Sequence, residues 1–179
     1  MTKGLQRSLS RAPVGRVLPG GGDQPAALLK KTIVVNAPIT VDGATGVGFG
    51  SIVAGDFPEG NIRVLGVLSY LSFTGPTSAN LVDTWNGDFG IGSTPASDAT
   101  ITAGDVDLTA STAIGPATAE AIARARYPGI ATPVLLDNTD GSLEVNLNLL
   151  VDDADIDADG VLVTAAGEIT IEYTLEGDD

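Results

Sequence analysis

Cysteine and histidine are both absent from this 179-residue sequence. Without cysteine there is no disulfide framework, no thiolate metal site and no thiol nucleophile. Without histidine the commonest general base and the commonest transition-metal ligand are missing together, which excludes Ser-His-Asp and Cys-His catalysis. Lysine does not occur after Lys31, so the rest of the chain cannot build a Gly-Lys-Ser/Thr phosphate loop. Aromatic residues make up only 4% of the sequence. The most apolar stretch, VLGVLSYLSF at 64–73, is about half the ~20 residues a membrane helix requires, and the N-terminus lacks the apolar run of a signal peptide. A soluble chain with no membrane partner is expected.

What the sequence does hold is aliphatic residues and alanine, punctuated by 23 glycines and 10 prolines. That is the habit of many short strands joined by turns, and the length suits one body with a real core. Charge is divided unevenly. Residues 1–31 carry Lys3, Arg7, Arg11, Arg16, Lys30 and Lys31 against Asp23, a net of +5, and residues 32–179 carry Arg63, Arg124 and Arg126 against 22 acids, a net of −19. The chain divides on this basis into a basic arm, 1–31, and an acidic body, 32–179. The arm interleaves apolar residues with its cations before breaking at Pro19-Gly20-Gly21-Gly22, so it reads as an extended segment able to grip a partner, against the alternative of a solvated tail. At its end QPAALLKK has the charge pattern of a single helical turn.

From Thr32 onward the hydrophobic period is near two. In SLEVNLNLLV (142–151) Leu143, Val145, Leu147, Leu149 and Val151 share one face and Glu144, Asn146 and Asn148 the other; EITIEYTL (168–175) repeats the pattern. Further strands are expected at 32–41, 46–54, 62–73, 99–102, 106–110, 133–137 and 161–166. About nine strands at this spacing predict an antiparallel β-sandwich of jelly-roll type. One short helix is expected near 117–126, where PATAEAIARARYPG opens on Pro116, is rich in alanine, pairs Glu120 with Arg124 and stops at Pro128-Gly129.

Few residues suggest chemistry. WNGDFGIGSTPASDA (85–99) spaces Gly87, Gly90 and Gly92 like part of a dinucleotide fingerprint, but Pro95 falls where the helix must begin, so the glycines are assigned to turns and close packing. Asp155, Asp157, Asp159 and Gly160 match the start of a calcium loop, yet its twelfth position is Ala166 and its flanks are strands; an acidic turn is the plainer reading. The acid pairs Asp105 with Asp107 and Asp56 with Glu59 have the residue types of a two-carboxylate hydrolase, but pairs are common by chance among so many acids. No catalytic residues, no cofactor and no enzymatic activity are expected. Nucleic acid is a poor partner for a body at −19, since phosphates would repel it.

NGDFGIGSTPASDATI (86–101), STAIGPATAEAIA (111–123) and LNLLVDDADIDADGVLVTAAGEITIEYT (147–174) resemble the head decoration, or cement, proteins of tailed bacteriophages. The resemblance covers roughly half the chain, all in the body. It implies a small β-domain on the outside of the virion's capsid shell, made in the host cytoplasm and bound to the major capsid protein, often as a homotrimer. With that implication, the arm residues Leu5, Arg7, Leu9, Arg11, Arg16, Val17 and Leu18 become the candidates for gripping the capsid. Two other classes stay open: a carbohydrate-binding jelly roll using Trp85 or Tyr127 on an exposed loop, and a head or tail fibre component.

Overall fold

The computed structural model describes residues 27–42, 48–76, 81, 84–115, 120–127, 133–152, 156 and 160–177, with the backbone alone at 120–127. Nine strands run in chain order: β1 Leu29–Val41, β2 Gly48–Asp56, β3 Gly60–Thr74, β4 Gly87–Gly92, β5 Thr109–Ile114, β6 Glu120–Tyr127, β7 Val134–Asn138, β8 Glu144–Val151 and β9 Val161–Gly177. One sheet has the order β1-β9-β3-β6, with β7 also paired to β3; the other has the order β2-β8-β4-β5. All the pairings are antiparallel.

The connectivity follows from a nested ladder. β1 pairs β9, β2 pairs β8, β3 pairs both β6 and β7, and β4 pairs β5. One long hairpin ribbon, β1 to β4 against β5 to β9, is thus folded over so that β9 also meets β3 and β8 also meets β4. This is the double-sheet jelly roll expected from the sequence, with one of its eight strand positions shared by β6 and β7.

Period-two patterning puts one face of each sheet into a common core. β1 buries Ile33, Val35, Ile39 and Val41, β8 buries Val145, Leu147, Leu149 and Val151, and β9 buries Val161, Val163, Ile169 and Ile171. Phe73 of one sheet meets Phe89 of the other with ring centroids 5.3 Å apart at 43°, a tilted contact typical of packed aromatics. At the end of the sandwich the Lys31 ammonium donates to the Asp56 carbonyl, tying β1 to β2 across the corner between the sheets.

Four expectations need correction. Residues 120–127 form strand β6, not a helix: they pair with β3 from Val67↔Tyr127 to Thr74↔Glu120. A ladder to a neighbouring strand overrides the local helix propensity of alanine, and the alternation of Ala121, Ala123 and Ala125 is equally compatible with period two. Residues 99–102 are a turn, in which the Asp98 carboxylate accepts from the Thr100 amide (2.8 Å) and hydroxyl (2.6 Å), and the strand placed at 106–110 begins only at Thr109. Leu29, Lys30 and Lys31 are strand residues, not a helical turn, so the described end of the arm belongs to β1.

β9 joins two segments that the sequence reading separated at Gly167. The inward positions continue through it, from Val161, Val163 and Ala165 to Ile169, Ile171 and Tyr173. Gly167 permits this because its φ is +140° and a Cβ there would lie 2.1 Å from the Tyr70 carbonyl oxygen. Gly160, at the start of the same strand, has φ +73° but nothing within 4 Å of a Cβ. Gly160→Ala should therefore cost only the backbone strain of about 1–2 kcal/mol. Gly167→Ala, which adds a backbone clash, should lower the melting temperature at least twice as far; equal shifts would contradict this assignment.

Candidate interaction surface

The outward faces of the two sheets differ. On β4, Phe89 and Ile91 point into the core while Gly90 and Gly92 occupy the outward positions, in register with Asn148 and Asn146 of β8. The missing side chains leave a trough. A Cβ on Gly90 would lie 2.4 Å from Val106 Cγ1, and one on Gly92 would lie 2.1 Å from the Gly104 carbonyl oxygen. Into this trough folds the β4–β5 loop, with a 3-10 turn at Ala103–Asp105.

The loop is held there by amides that the sequence reading assigned to solvent. Asn148 is fully buried; its Nδ2 donates to the carbonyls of Thr94 (3.0 Å) and Asp105 (2.8 Å), and its Oδ1 accepts from the Ala96 amide at 2.8 Å. Asn146, also buried, donates to the Ser93 carbonyl at 3.4 Å. The 3-10 turn opens on Ala103 at φ +51°, a left-handed conformation that costs a non-glycine residue about 1–2 kcal/mol. Asn138 acts in the same way at the end of the sandwich, donating to the Pro58 carbonyl (2.8 Å) and accepting from the Leu143 amide (2.7 Å).

The acid pair Asp105 and Asp107 belongs to this latch. Asp107 accepts from the Ser93 amide at 2.8 Å and from its hydroxyl at 2.7 Å, while Asp105 accepts from the Thr94 hydroxyl at 2.9 Å and the Thr102 amide at 3.3 Å. Burial pushes the Asp107 carboxyl above the usual aspartate range, and the Asp105 charge adds to this; the Ser93 donors pull the other way without cancelling it. By contrast Asp98 and Asp140, on the surface, are held below the usual range by the hydroxyl and amide donors of Thr100 and Ser142. Asp56 ends β2 and Glu59 follows in the next turn.

The outward face of the β1-β9-β3-β7 layer exposes several apolar side chains among the described residues. Exposed Val34 of β1, Leu68 and Tyr70 of β3, Leu162 of β9 and Leu135 of β7 all lie on it, among Thr32, Thr170, Ser72 and Glu168, which stands between Val34 and Tyr70. Polar contacts on the face include the Thr32 and Thr170 hydroxyls, 3.3 Å apart, Lys30 with Glu172 at 3.3 Å and Arg63 with Glu176 at 3.0 Å. Charge follows the same division. The strands of this sheet hold Lys30, Lys31, Arg63, Arg124 and Arg126 against Glu120, Asp137, Glu168, Glu172 and Glu176, a balance of zero. The other sheet's strands hold three acids and no cation, and the remaining residues after β1 hold fourteen acids and no cation.

The arm candidates Leu5, Arg7, Leu9, Arg11, Arg16, Val17 and Leu18 lie outside the described residues, as do Asp155, Asp157 and Asp159 of the acidic turn. Among the described residues no group of three or more acids is placed to hold a metal ion. Trp85 is a core residue, only 1% exposed, so it is unavailable to stack on a sugar; Tyr127 is the last residue of β6. The exposed apolar residues of the β1-β9-β3-β7 layer escaped the sequence reading because they sit singly at outward positions of four strands. The signal that was present is that every cation after the arm falls in one sheet.

No protein-family model matches the chain, and no curated protein does. Among solved structures, a chain from Desmodium yellow mottle tymovirus overlaps 94% of this chain and 99% of its own length at 10% identity, with a TM-score of 0.32. An overlap this loose carries no argument, and the jelly roll rests on the strand pairings themselves.

Asn148→Ala leaves two carbonyls and an amide without their partner and should destabilise the protein by about 1–3 kcal/mol in urea unfolding; an unchanged midpoint would contradict the latch. Because the native state holds the Asp107 proton more tightly than the unfolded state does, raising pH through the carboxylate range costs stability at this site. Relative to Asp107→Asn, the wild-type melting temperature should therefore fall as pH rises from the ordinary to the raised aspartate range. A relative gain would show that the Ser93 donors outweigh burial.

Proposed function

We propose that the chain is a structural, non-enzymatic protein of a virion, which docks on the outer surface of a phage capsid and cements the lattice of its major capsid protein. The observation that carries this reading is the division of charge, +5 in residues 1–31 and −19 in the remainder, on a body whose glycine-rich stretch and acid pair are consumed in holding its own loop. The resemblance of three body segments to phage decoration proteins supports it, and the trimeric state is an expectation from that resemblance alone. Trp85 in the core removes the main aromatic candidate for the carbohydrate-binding alternative.

The arm is assigned the docking role. Leu5, Leu9, Val17 and Leu18 contribute about 1.5–3 kcal/mol each where fully buried, whereas exposed ion pairs give about 1 kcal/mol or less, so burial dominates affinity and charge steers approach. The test is a chain beginning at Ala27, which keeps all of β1. It should fold normally yet bind shells of the cognate major capsid protein poorly. Replacing Arg7, Arg11 and Arg16 with Gln should weaken binding less and flatten its salt dependence. Undiminished binding by the truncated chain would move the docking surface to the sandwich and overturn the arm's role.

A further inference from the structure

We propose that the β4–β5 loop is a pH-sensitive strap, which opens from the outward face of β4 and β8 without unfolding the sandwich and is held more firmly in acid than at neutral pH. The strap is fastened separately from the core. Its anchors are the hydrogen bonds from Asn146 and Asn148 and an internal clasp, in which the Asp107 carboxylate accepts from the Ser93 amide (2.8 Å) and hydroxyl (2.7 Å). Ile101, buried midway along the strap, is not part of the hydrophobic cluster between the sheets. A segment held by a few polar contacts opens at a lower free energy than strands that share a core. Opening also releases the left-handed backbone of Ala103, at φ +51°.

The charges around the clasp make this opening depend on pH. Every charged residue of the strap and of the sheet beneath it is an acid: Asp98, Asp105 and Asp107 in the strap, Asp88 on β4, Glu144 on β8 and Asp56 on β2, while β5 carries none. Lys31 of β1 is engaged at the Asp56 carbonyl, at the end of β2. The half-buried Asp107 charge is therefore met by the neutral donors of Ser93, and Asp105, two residues away, adds a second negative charge while its own carboxylate accepts from the Thr94 hydroxyl and the Thr102 amide. Burial and the Asp105 charge hold the Asp107 carboxyl above the usual aspartate range in the closed strap. In the open strap the group returns to water. The closed form thus binds the Asp107 proton more tightly, so acid favours closure and raising pH through the raised aspartate range favours opening. Opening uncovers the Asn146 and Asn148 amides beside the glycine trough. The inference does not depend on the capsid reading.

The experiment is amide hydrogen exchange of the full-length chain, followed residue by residue from about pH 4.5 to 7 and corrected for the intrinsic rate at each pH, with a series in low urea to separate local from global opening. In the wild type the protection of the Ser93, Thr94 and Ala96 amides should approach that of β8 at the acid end and fall about threefold or more by the neutral end. This exchange should not respond to low urea, whereas exchange of the β8 amides should. In Asp107→Asn the protection of the same three amides should change by less than about twofold over the range. If circular dichroism shows that variant to be unfolded, the wild type alone decides: carboxyl-carbon NMR should show Asp107 titrating above Asp98 and Asp140, with its midpoint at the fall in protection. The proposal is overturned if the three amides exchange only together with β8 and with the same urea dependence. It is also overturned if their protection is flat or rises with pH, or if Asp107→Asn keeps the wild-type fall.

Discussion

A buried amide on the outer face of a sheet must find partners in whatever covers it, because an unsatisfied polar group there costs more than a hydrogen bond contributes. Asn148 meets that demand with three contacts to the β4–β5 loop. The loop in turn lies flat only because Gly90 and Gly92 have no side chains beneath it. From this constraint follow the burial of Asn146, the tolerated left-handed Ala103, and the half-buried position of Asp107. The β4 and β8 part of the β2-β8-β4-β5 sheet is thereby covered on both faces, one by the core and one by its own loop, while Val53 of β2 stays exposed.

Among the described residues no loop is latched over the other sheet in this way, and charge follows the same asymmetry. Cations after the arm are confined to its strands, while acids crowd the residues outside the strands. A protein so divided carries an acidic surface outside its strands that repels nucleic acid. Gly90, Gly92, Asp105 and Asp107, which might have suggested chemistry, are parts of the latch. The proposed architectural role draws on these features.

The sandwich was legible in the sequence because β1, β3, β8 and β9 alternate strongly enough to reveal their inward faces. The β6 segment was misread because alanine and an Glu120–Arg124 spacing satisfy a helix pattern locally, whereas the ladder to β3 that decides the matter is long-range. Gly167 hid the continuity of β9 for a related reason: glycine reads as a break unless the strand it crosses is known. Asn146 and Asn148 alternate correctly as outward residues, but their burial depends on a loop whose path no local pattern specifies. The exposed apolar residues of the other sheet were invisible for the converse reason, since they share a face only through register.

The account rests on the β4–β5 loop being part of the folded body, and amide hydrogen exchange measured residue by residue tests it most directly. Ala96 and Ser93, whose amides donate to Asn148 and Asp107, and Thr94, whose amide donates to the Gly104 carbonyl, should be protected to nearly the level of the β8 amides despite lying outside any strand. Exchange of these three amides at the rate of an unstructured chain, with β8 still protected, would mean that the loop is not latched over β4 and β8.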